Sequence, residues 1–113
     1  MMQMRWVSVG AGVIILAAVA AVPSVMAGPS MSSAWLAITV SQDECVRRGS
    51  AAMRASSFTA RFEVLGNNSI YGARGDYSAL VRCATDKGIA YFVVAGPKGD
   101  LCNSHMNAIR DGF

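Results

Sequence analysis

Two runs of β-forming residues joined by one turn signal constrain the fold of this chain more than any other stretch. The runs are Tyr77–Ala84 and Ile89–Ala95, and Asp86-Lys87-Gly88 separates them. β-Branched and aromatic residues around a short loop that ends in glycine predict a β-hairpin, with Gly88 in the left-handed conformation. Alternate residues of the first strand share one face of this hairpin: Tyr77, Ala79, Val81 and Cys83.

The first 27 residues have the pattern of a secretory signal peptide. Arg5 supplies a positive charge, the 16 residues from Val7 to Val22 carry no charge, and Pro23 follows. Val25-Met26-Ala27 places small residues where a signal peptidase cuts, which predicts cleavage after Ala27. The alternative is a retained membrane anchor, because a slightly longer apolar run spans a bilayer. We therefore expect an exported protein, periplasmic or secreted, with no membrane segment once the leader is removed.

The residues after the leader are enough for one small domain. Their net charge is +2, because the whole-chain value of +3 falls by one when Arg5 is removed. The basic residues are scattered, and the largest cluster is Arg47, Arg48 and Arg54. Such a cluster on a predicted helix is typical of a solvated face, and a nearly balanced charge excludes a nucleic-acid footprint.

The segments before the hairpin predict a strand, a helix and a weaker β region. Gly28 to Ser33 is small and polar, which predicts a flexible segment at 28–33 ahead of a domain at 34–113. Ala34–Val40 is the first predicted strand. Ser41-Gln42-Asp43-Glu44 has the pattern of a capping box, in which Ser41 and Glu44 satisfy each other's amides, so a helix should run from there to about Ala55.

The region from Phe58 to Tyr71 predicts one or two strands, with a turn at residues 66–68 and another at Gly72–Gly75. After the hairpin, Asp100 can cap a helix over Leu101–Arg110. The order β-α-β-(β)-β-β-α predicts an α+β fold. We expect a mostly antiparallel sheet of four or five strands with two helices packed on one face.

The three cysteines lie in the exported part, where disulfides form and persist. If Phe58–Tyr71 contributes two strands, the strand that carries Cys83 runs parallel to the first strand and ends on the same rim as Cys45. If it contributes one strand, Cys45 comes nearer Cys102. We favour a Cys45–Cys83 disulfide with Cys102 reduced. The alternative is three buried thiols that act as small hydrophobic residues.

Soft metal ligands cluster only in the last helix, at Cys102, His105 and Met106. Cysteine, histidine and methionine together suit copper, which gives an alternative function as a redox-active or metal-handling envelope protein. The same cysteine and methionine also fit the buried face of a helix. We therefore predict no metal site and no cofactor, and the residues offer no catalytic constellation, since His105 lacks an acidic or nucleophilic partner.

The sheet face opposite the helices is the predicted interaction surface. An antiparallel sheet covered on one side leaves the other side free. Tyr71, Leu80 and Phe92 could form an apolar patch there. We therefore expect a non-enzymatic binding module that acts outside the cytoplasm and binds an unknown protein partner or its own copy through this open face.

Several strings between residues 41 and 97 resemble those of small exported bacterial proteins of uncharacterised activity. They are Asp43-Glu44-Cys45, Ile70-Tyr71-Gly72, Arg74-Gly75-Asp76-Tyr77, Val81-Arg82-Cys83 and Phe92-Val93-Val94-Ala95-Gly96-Pro97. The resemblance implies an extracytoplasmic bacterial setting and supports treating Cys45 and Cys83 as a pair. It implies no activity, because none is known for that group.

Overall fold

The structure, a computed structural model, describes residues 28–113 and places two helices and five strands there. The chain order is β1 (Ser30–Ala37), α1 (Gln42–Ala55), β2 (Ala60–Leu65), β3 (Ser69–Arg74), β4 (Tyr77–Ala84), a 3-10 turn (Thr85–Lys87), β5 (Ile89–Gly96) and α2 (Gly99–Gly112). The predicted signal peptide, residues 1–27, lies outside the described residues. Neither helix of the described part has the length and apolar character needed to cross a bilayer.

All five strands form one antiparallel sheet in the order β1-β5-β4-β3-β2. The helices pack on the same face, α1 against β3 and β4, and α2 against β1 and β5. The predicted α+β fold is therefore confirmed. The region at 58–71 contributes two strands, and the predicted hairpin joins β4 to β5 with Gly88 at φ 72°.

The core lies between the sheet and the two helices. The helix faces predicted from spacing are the buried ones, with Cys45, Gly49, Ala52 and Met53 on α1 and Cys102, Met106 and Ile109 on α2. Alternate residues of the central strands meet them from the sheet: Ile70, Ala79, Val81, Cys83, Ala90, Phe92 and Val94. The alternation predicted for β4 is thus confirmed, and it extends to both neighbouring strands.

The first strand begins earlier than predicted. Ser30 pairs with Gly96 and Ala37 pairs with Ile89, so β1 spans Ser30–Ala37 and not Ala34–Val40. The prediction of a flexible segment at 28–33 is therefore wrong for its last four residues. Small polar residues have low β-propensity, but β5 supplies hydrogen-bonding partners over its whole length and overrides that preference.

Gly72 lies inside a strand and not in the predicted turn. β3 continues to Arg74, and only Gly75 and Asp76 connect it to β4. A Cβ added at Gly72 would overlap the backbone carbonyl of Phe58, which crosses this strand closely. Glycine is required here because another segment of backbone approaches, a role that sequence cannot distinguish from a turn.

Both helix starts differ in detail from the predicted caps. Ser41 Oγ accepts a hydrogen bond from the Glu44 amide at 3.2 Å, which confirms half of the capping box. The Glu44 carboxylate does not return to Ser41 but accepts hydrogen bonds from Arg47 and Arg48. The hydrogen bond from Arg47 is the main reason that the pKa of Glu44 is lowered to about 2.

The second helix starts at Gly99, one residue before Asp100, and follows Lys98 as its cap position. Asp100 is therefore inside the first turn and is not the cap. Its carboxylate accepts a hydrogen bond from the Leu101 amide at 3.0 Å. A negative charge in this position still complements the positive end of the helix dipole.

A disulfide joins Cys45 at the start of α1 to Cys83 near the end of β4, with a Cα–Cα distance of 6.0 Å. This confirms the pairing predicted from topology, because β2 and β3 together bring β4 parallel to β1 and place both cysteines on one rim. Cys102 is the remaining thiol and is buried. The disulfide thus connects one helix to the central strand of the sheet.

Replacing both Cys45 and Cys83 with alanine should lower the free energy of unfolding by about 4 kcal/mol, because the crosslink spans 38 residues and restricts the unfolded chain. Urea unfolding of residues 28–113, followed by circular dichroism, measures this change. The Cys102→Ala variant is the control, since it keeps the crosslink. An unfolding midpoint for the double variant equal to that of the oxidised parent would contradict the prediction.

Candidate functional site

The candidate metal-ligating side chains of the last helix, Cys102, His105 and Met106, pack against other side chains of the domain. Cys102 and Met106 are buried in the core, and Cys102 Sγ lies 3.6 Å from the carbonyl oxygen of Ser30 on β1. Within residues 28–113, no three histidine, cysteine, aspartate or glutamate side chains are grouped so that they could hold a metal ion. The hypothesis of a metal-handling protein that uses Cys102, His105 and Met106 therefore receives no geometric support.

His105 fills a gap between two aromatic rings. The imidazole centroid lies 5.3 Å from that of Phe58 and 5.1 Å from that of Tyr77, both in edge-to-face geometry. Burial lowers the pKa of His105 below its usual value, and the positive charge of Arg74 lowers it further. The histidine is therefore a neutral packing residue near neutral pH.

A small pocket lies at the rim where β1 ends. Its volume is about 260 Å³, and its lining combines apolar side chains with one guanidinium: Leu36, Ala37, Ile38, Thr39, Val40, Arg48 and Phe113. Typical ligand pockets are somewhat larger, at roughly 300 to 1,000 Å³. Arg48 and Thr39 are the only polar side chains among its lining residues, so it is the weaker candidate.

The open face of the sheet, opposite the helices, is the larger candidate surface. The register aligns its residues in rows that cross the strands from β1 to β2. One row contains Trp35, Tyr91, Arg82, Ser69 and Leu65. The next row contains Ser33, Val93, Leu80, Tyr71 and Glu63. Most of these side chains are apolar or aromatic, and no helix of the described residues covers them.

The two most exposed apolar side chains of the open face, Met31 and Trp35, lie on β1. Trp35 is 62% exposed, Met31 is 69% exposed, and Tyr91 beside Trp35 is 39% exposed. Scattered single apolar residues are common on protein surfaces, but two exposed aromatic rings side by side, as at Trp35 and Tyr91, are not. Tryptophan, tyrosine and methionine are also the residue types enriched in protein interfaces.

The predicted patch of Tyr71, Leu80 and Phe92 is correct for two of its three members. Tyr71 and Leu80 are paired across β3 and β4 on the open face, and the Tyr71 hydroxyl lies 3.2 Å from Ser78 Oγ. The prediction for Phe92 is wrong, because this side chain is 1% exposed and packs in the core against Phe113. Tyr91 and Val93, the residues on either side of Phe92 in β5, point to the open face instead.

The predicted patch does not include Trp35 and Met31. Trp35 lies in the predicted first strand, whereas Met31 lies in the segment predicted to be flexible. The alternation of Met31, Ser33, Trp35 and Ala37 is the sequence signal that places both on one face. Once β1 is extended to Ser30, every second residue falls on the open face.

Arg82 is the only charged side chain near the middle of the open face. It lies between Tyr91 and Ser69, and its Nη1 atom is 3.5 Å from Ser69 Oγ, which is a weak contact. Among residues 28–113, no carboxylate lies within 4.0 Å of its guanidinium. The middle of the open face therefore combines apolar side chains with one guanidinium that forms no ion pair within the described residues.

No family model matches this chain, and neither the curated proteins nor the solved structures include a significant match. The resemblance to small exported bacterial proteins stays a prediction. Arguments about function therefore rest on the residues and their geometry.

Lowering the pH should destabilise the protein through His105. Because the pKa of His105 is lowered by folding, the unfolded chain binds the proton more readily, and stability is lost as pH falls from the unfolded value near 6.5 towards the lowered value. His105 is the only histidine, so no other side chain of ordinary pKa titrates in this window. Urea unfolding at pH 7.5 and at successively lower pH values measures the loss.

The matched control is His105→Phe, which keeps a ring between Phe58 and Tyr77 but cannot take up a proton. We expect its stability to vary less across the same pH range. An equal pH dependence in both proteins would show that another group is responsible.

Proposed function

We propose that this chain is a small exported binding module without catalytic function, and that its open face binds another protein. The observation that carries the proposal is the contiguous row of Trp35, Tyr91 and Arg82, which is solvent-exposed and lies on a rigid sheet. Side chains fixed on strands lose little conformational entropy on binding. A rigid sheet face with exposed aromatic side chains suits the binding of another protein better than catalysis.

The size of the open face supports a modest interface. Five strands at the usual spacing are about 20 Å across, and the paired length of the strands is about 20 Å, so the face covers about 400 Å². The largest apolar patches on monomers are of this size and are often functional. Such an area corresponds to the small interfaces of transient complexes.

The charge on the open face indicates the chemistry of the partner. Covering Arg82 with an apolar surface would leave a guanidinium buried without a counter-charge, which is costly. The partner surface should therefore be mainly apolar and should present one carboxylate to Arg82. A bidentate contact between guanidinium and carboxylate would also fix the orientation of the complex.

The setting that we propose is the bacterial cell envelope or the medium. The leader pattern of residues 1–27 supports export, and the Cys45–Cys83 disulfide fits an oxidising compartment. A metal-handling function remains the alternative hypothesis from sequence, but no contact of Cys102, His105 or Met106 favours it.

The binding proposal is tested by placing a photo-crosslinking phenylalanine derivative at Tyr91 in the producing cells. We expect a discrete adduct with one other protein, lost when Arg82→Glu is added, because the added charge repels the partner carboxylate. The control carries the same crosslinker at Ser104, an exposed position of α2. Adducts that are equally abundant from Ser104, or unaffected by Arg82→Glu, would contradict the proposal.

The export proposal is tested by intact-mass measurement of the protein from the medium and periplasm, with and without thiol alkylation. We expect a chain that starts at Gly28 and takes up one alkyl group, on Cys102, after denaturation without reductant. A chain with residues 1–27 still attached, or three alkylated thiols, would overturn the proposed setting.

A further inference from the structure

Within residues 28–113, no strand pairs with the outer edge of β1. β1 has eight residues, contains no charge and no proline, and pairs with β5 without a break from Ser30 opposite Gly96 to Ala37 opposite Ile89. Edge strands of this kind present free backbone donors and acceptors to any strand that approaches. Most soluble proteins block such edges with charges, bulges or prolines, and β1 has none of these.

The backbone groups that face outward can be identified. Ile38 N donates to Gly88 O at 2.9 Å, so this residue turns its amide towards the β5 side. Residues of an antiparallel pair alternate between those that bond to the neighbour and those that do not. The outward amides and carbonyls therefore belong to Met31, Ser33, Trp35 and Ala37, whose side chains lie on the open face.

The opposite edge of the sheet is protected. β2 pairs with β3 through an irregular register between Ala60 and Glu63, and Arg61 adopts φ 49° within it. A bulge twists the edge, and the charges of Arg61 and Glu63 disfavour pairing with a further strand. The two edges of one sheet thus differ in the features that decide whether another strand can be added.

We propose that a second copy of this chain pairs with β1 along this edge, antiparallel and related by a twofold axis at Ser33. Residues 30–36 of one copy then lie opposite residues 36–30 of the other, and the two sheets become one sheet of ten strands. This register uses the outward backbone groups of both copies. It also sets Met31 of each copy opposite Trp35 of the other on the open face, where sulfur and indole contact favourably.

The helix layer fits the same arrangement. α1 lies over β3 and β4 and α2 over β1 and β5, so successive helices are two strand spacings apart, or about 10 Å. The twofold axis places α2 of the second copy two strand spacings from α2 of the first. This separation is the ordinary distance of packed helices, so the helices neither collide nor leave a gap.

The twofold axis also sets the charged ends of the two α2 helices side by side. His105 and Gly112 face the α1 side, since they contact Phe58 and Ala52, so Arg110 lies on the side towards the second copy. Gly99 lies beside Ser30 at the start of β1, and Phe113 lines a pocket with Leu36 at its end, so α2 runs alongside β1. The two copies of α2 are therefore antiparallel, and the start of one, with Lys98 and Asp100, comes level with the end of the other, with Arg110 and Asp111.

This edge is a different surface from the open face, and pairing there leaves the open face free for its own partner. The inference therefore goes beyond the proposed function, and either can fail without the other. Sedimentation equilibrium of residues 28–113 tests it. We expect a reversible dimer, whose Kd rises roughly fivefold or more in Ser33→Lys, because the axis places the two lysines directly opposite each other.

The matched control is Ser78→Lys, which adds the same charge to the open face away from the β1 edge and should leave the Kd within about twofold. A second test uses Ser33→Cys, where the twofold axis brings the two Cα atoms to about 5.5 Å and oxidation should give a covalent dimer. Ser104→Cys, on the outer side of α2, should stay monomeric under oxidation.

Two results would overturn the inference. One is a monomer at every concentration up to roughly 1 mM. The other is a dimer that Ser78→Lys dissociates and Ser33→Lys does not, since that pattern assigns self-association to the open face. A monomeric protein that still gives the Tyr91 adduct would retain the proposed function and remove only the edge pairing.

Discussion

The disulfide between Cys45 and Cys83 determines which side chains form the core and which form the open face. It joins α1 to β4, the central strand, so the Cys83 side of β4 must face the helices. Because Cys83 pairs with Ala90, the same side of β5 also faces inward and carries Phe92 into the core. The alternate residues, among them Tyr91 and Arg82, are then left on the solvent side. One covalent bond and the two-residue period of a strand account for which side chains lie on the open face.

Local sequence signals predicted the parts of the fold that local physics controls. Ser41 caps α1 and Gly88 takes the left-handed turn conformation, since each depends on residues within a few positions. The start of β1 and the role of Gly72 could not be predicted in this way. β1 already begins at Ser30 because β5, distant in sequence, supplies backbone hydrogen-bond partners there. Position 72 requires glycine because the backbone of Phe58 passes close to it. The error at Phe92 was avoidable, because the predicted disulfide and the hairpin register together fix its side of the sheet.

Packing accounts for the positions of the polar and soft residues of α2. His105 occupies the space between Phe58 and Tyr77, and Cys102 and Met106 fill the core under the helix. A domain of this size buries a small fraction of its surface compared with larger domains, so most buried side chains are needed for stability. Two helices of 14 residues cover one face of a sheet and leave the other uncovered. Surface available for recognition is therefore found on the sheet.

The difference between the two sheet edges has a consequence for the size of any assembly. A sheet with two open edges adds further copies without limit, which leads to fibres. In this chain the edge at β1 is open, whereas the edge at β2 carries a bulge at Arg61. Pairing β1 with β1 about a twofold axis consumes the open edge of both copies and leaves bulged edges at the two ends. The assembly then closes at two copies, with Trp35 and Met31 at its centre and a continuous apolar face that is twice as wide as that of one chain.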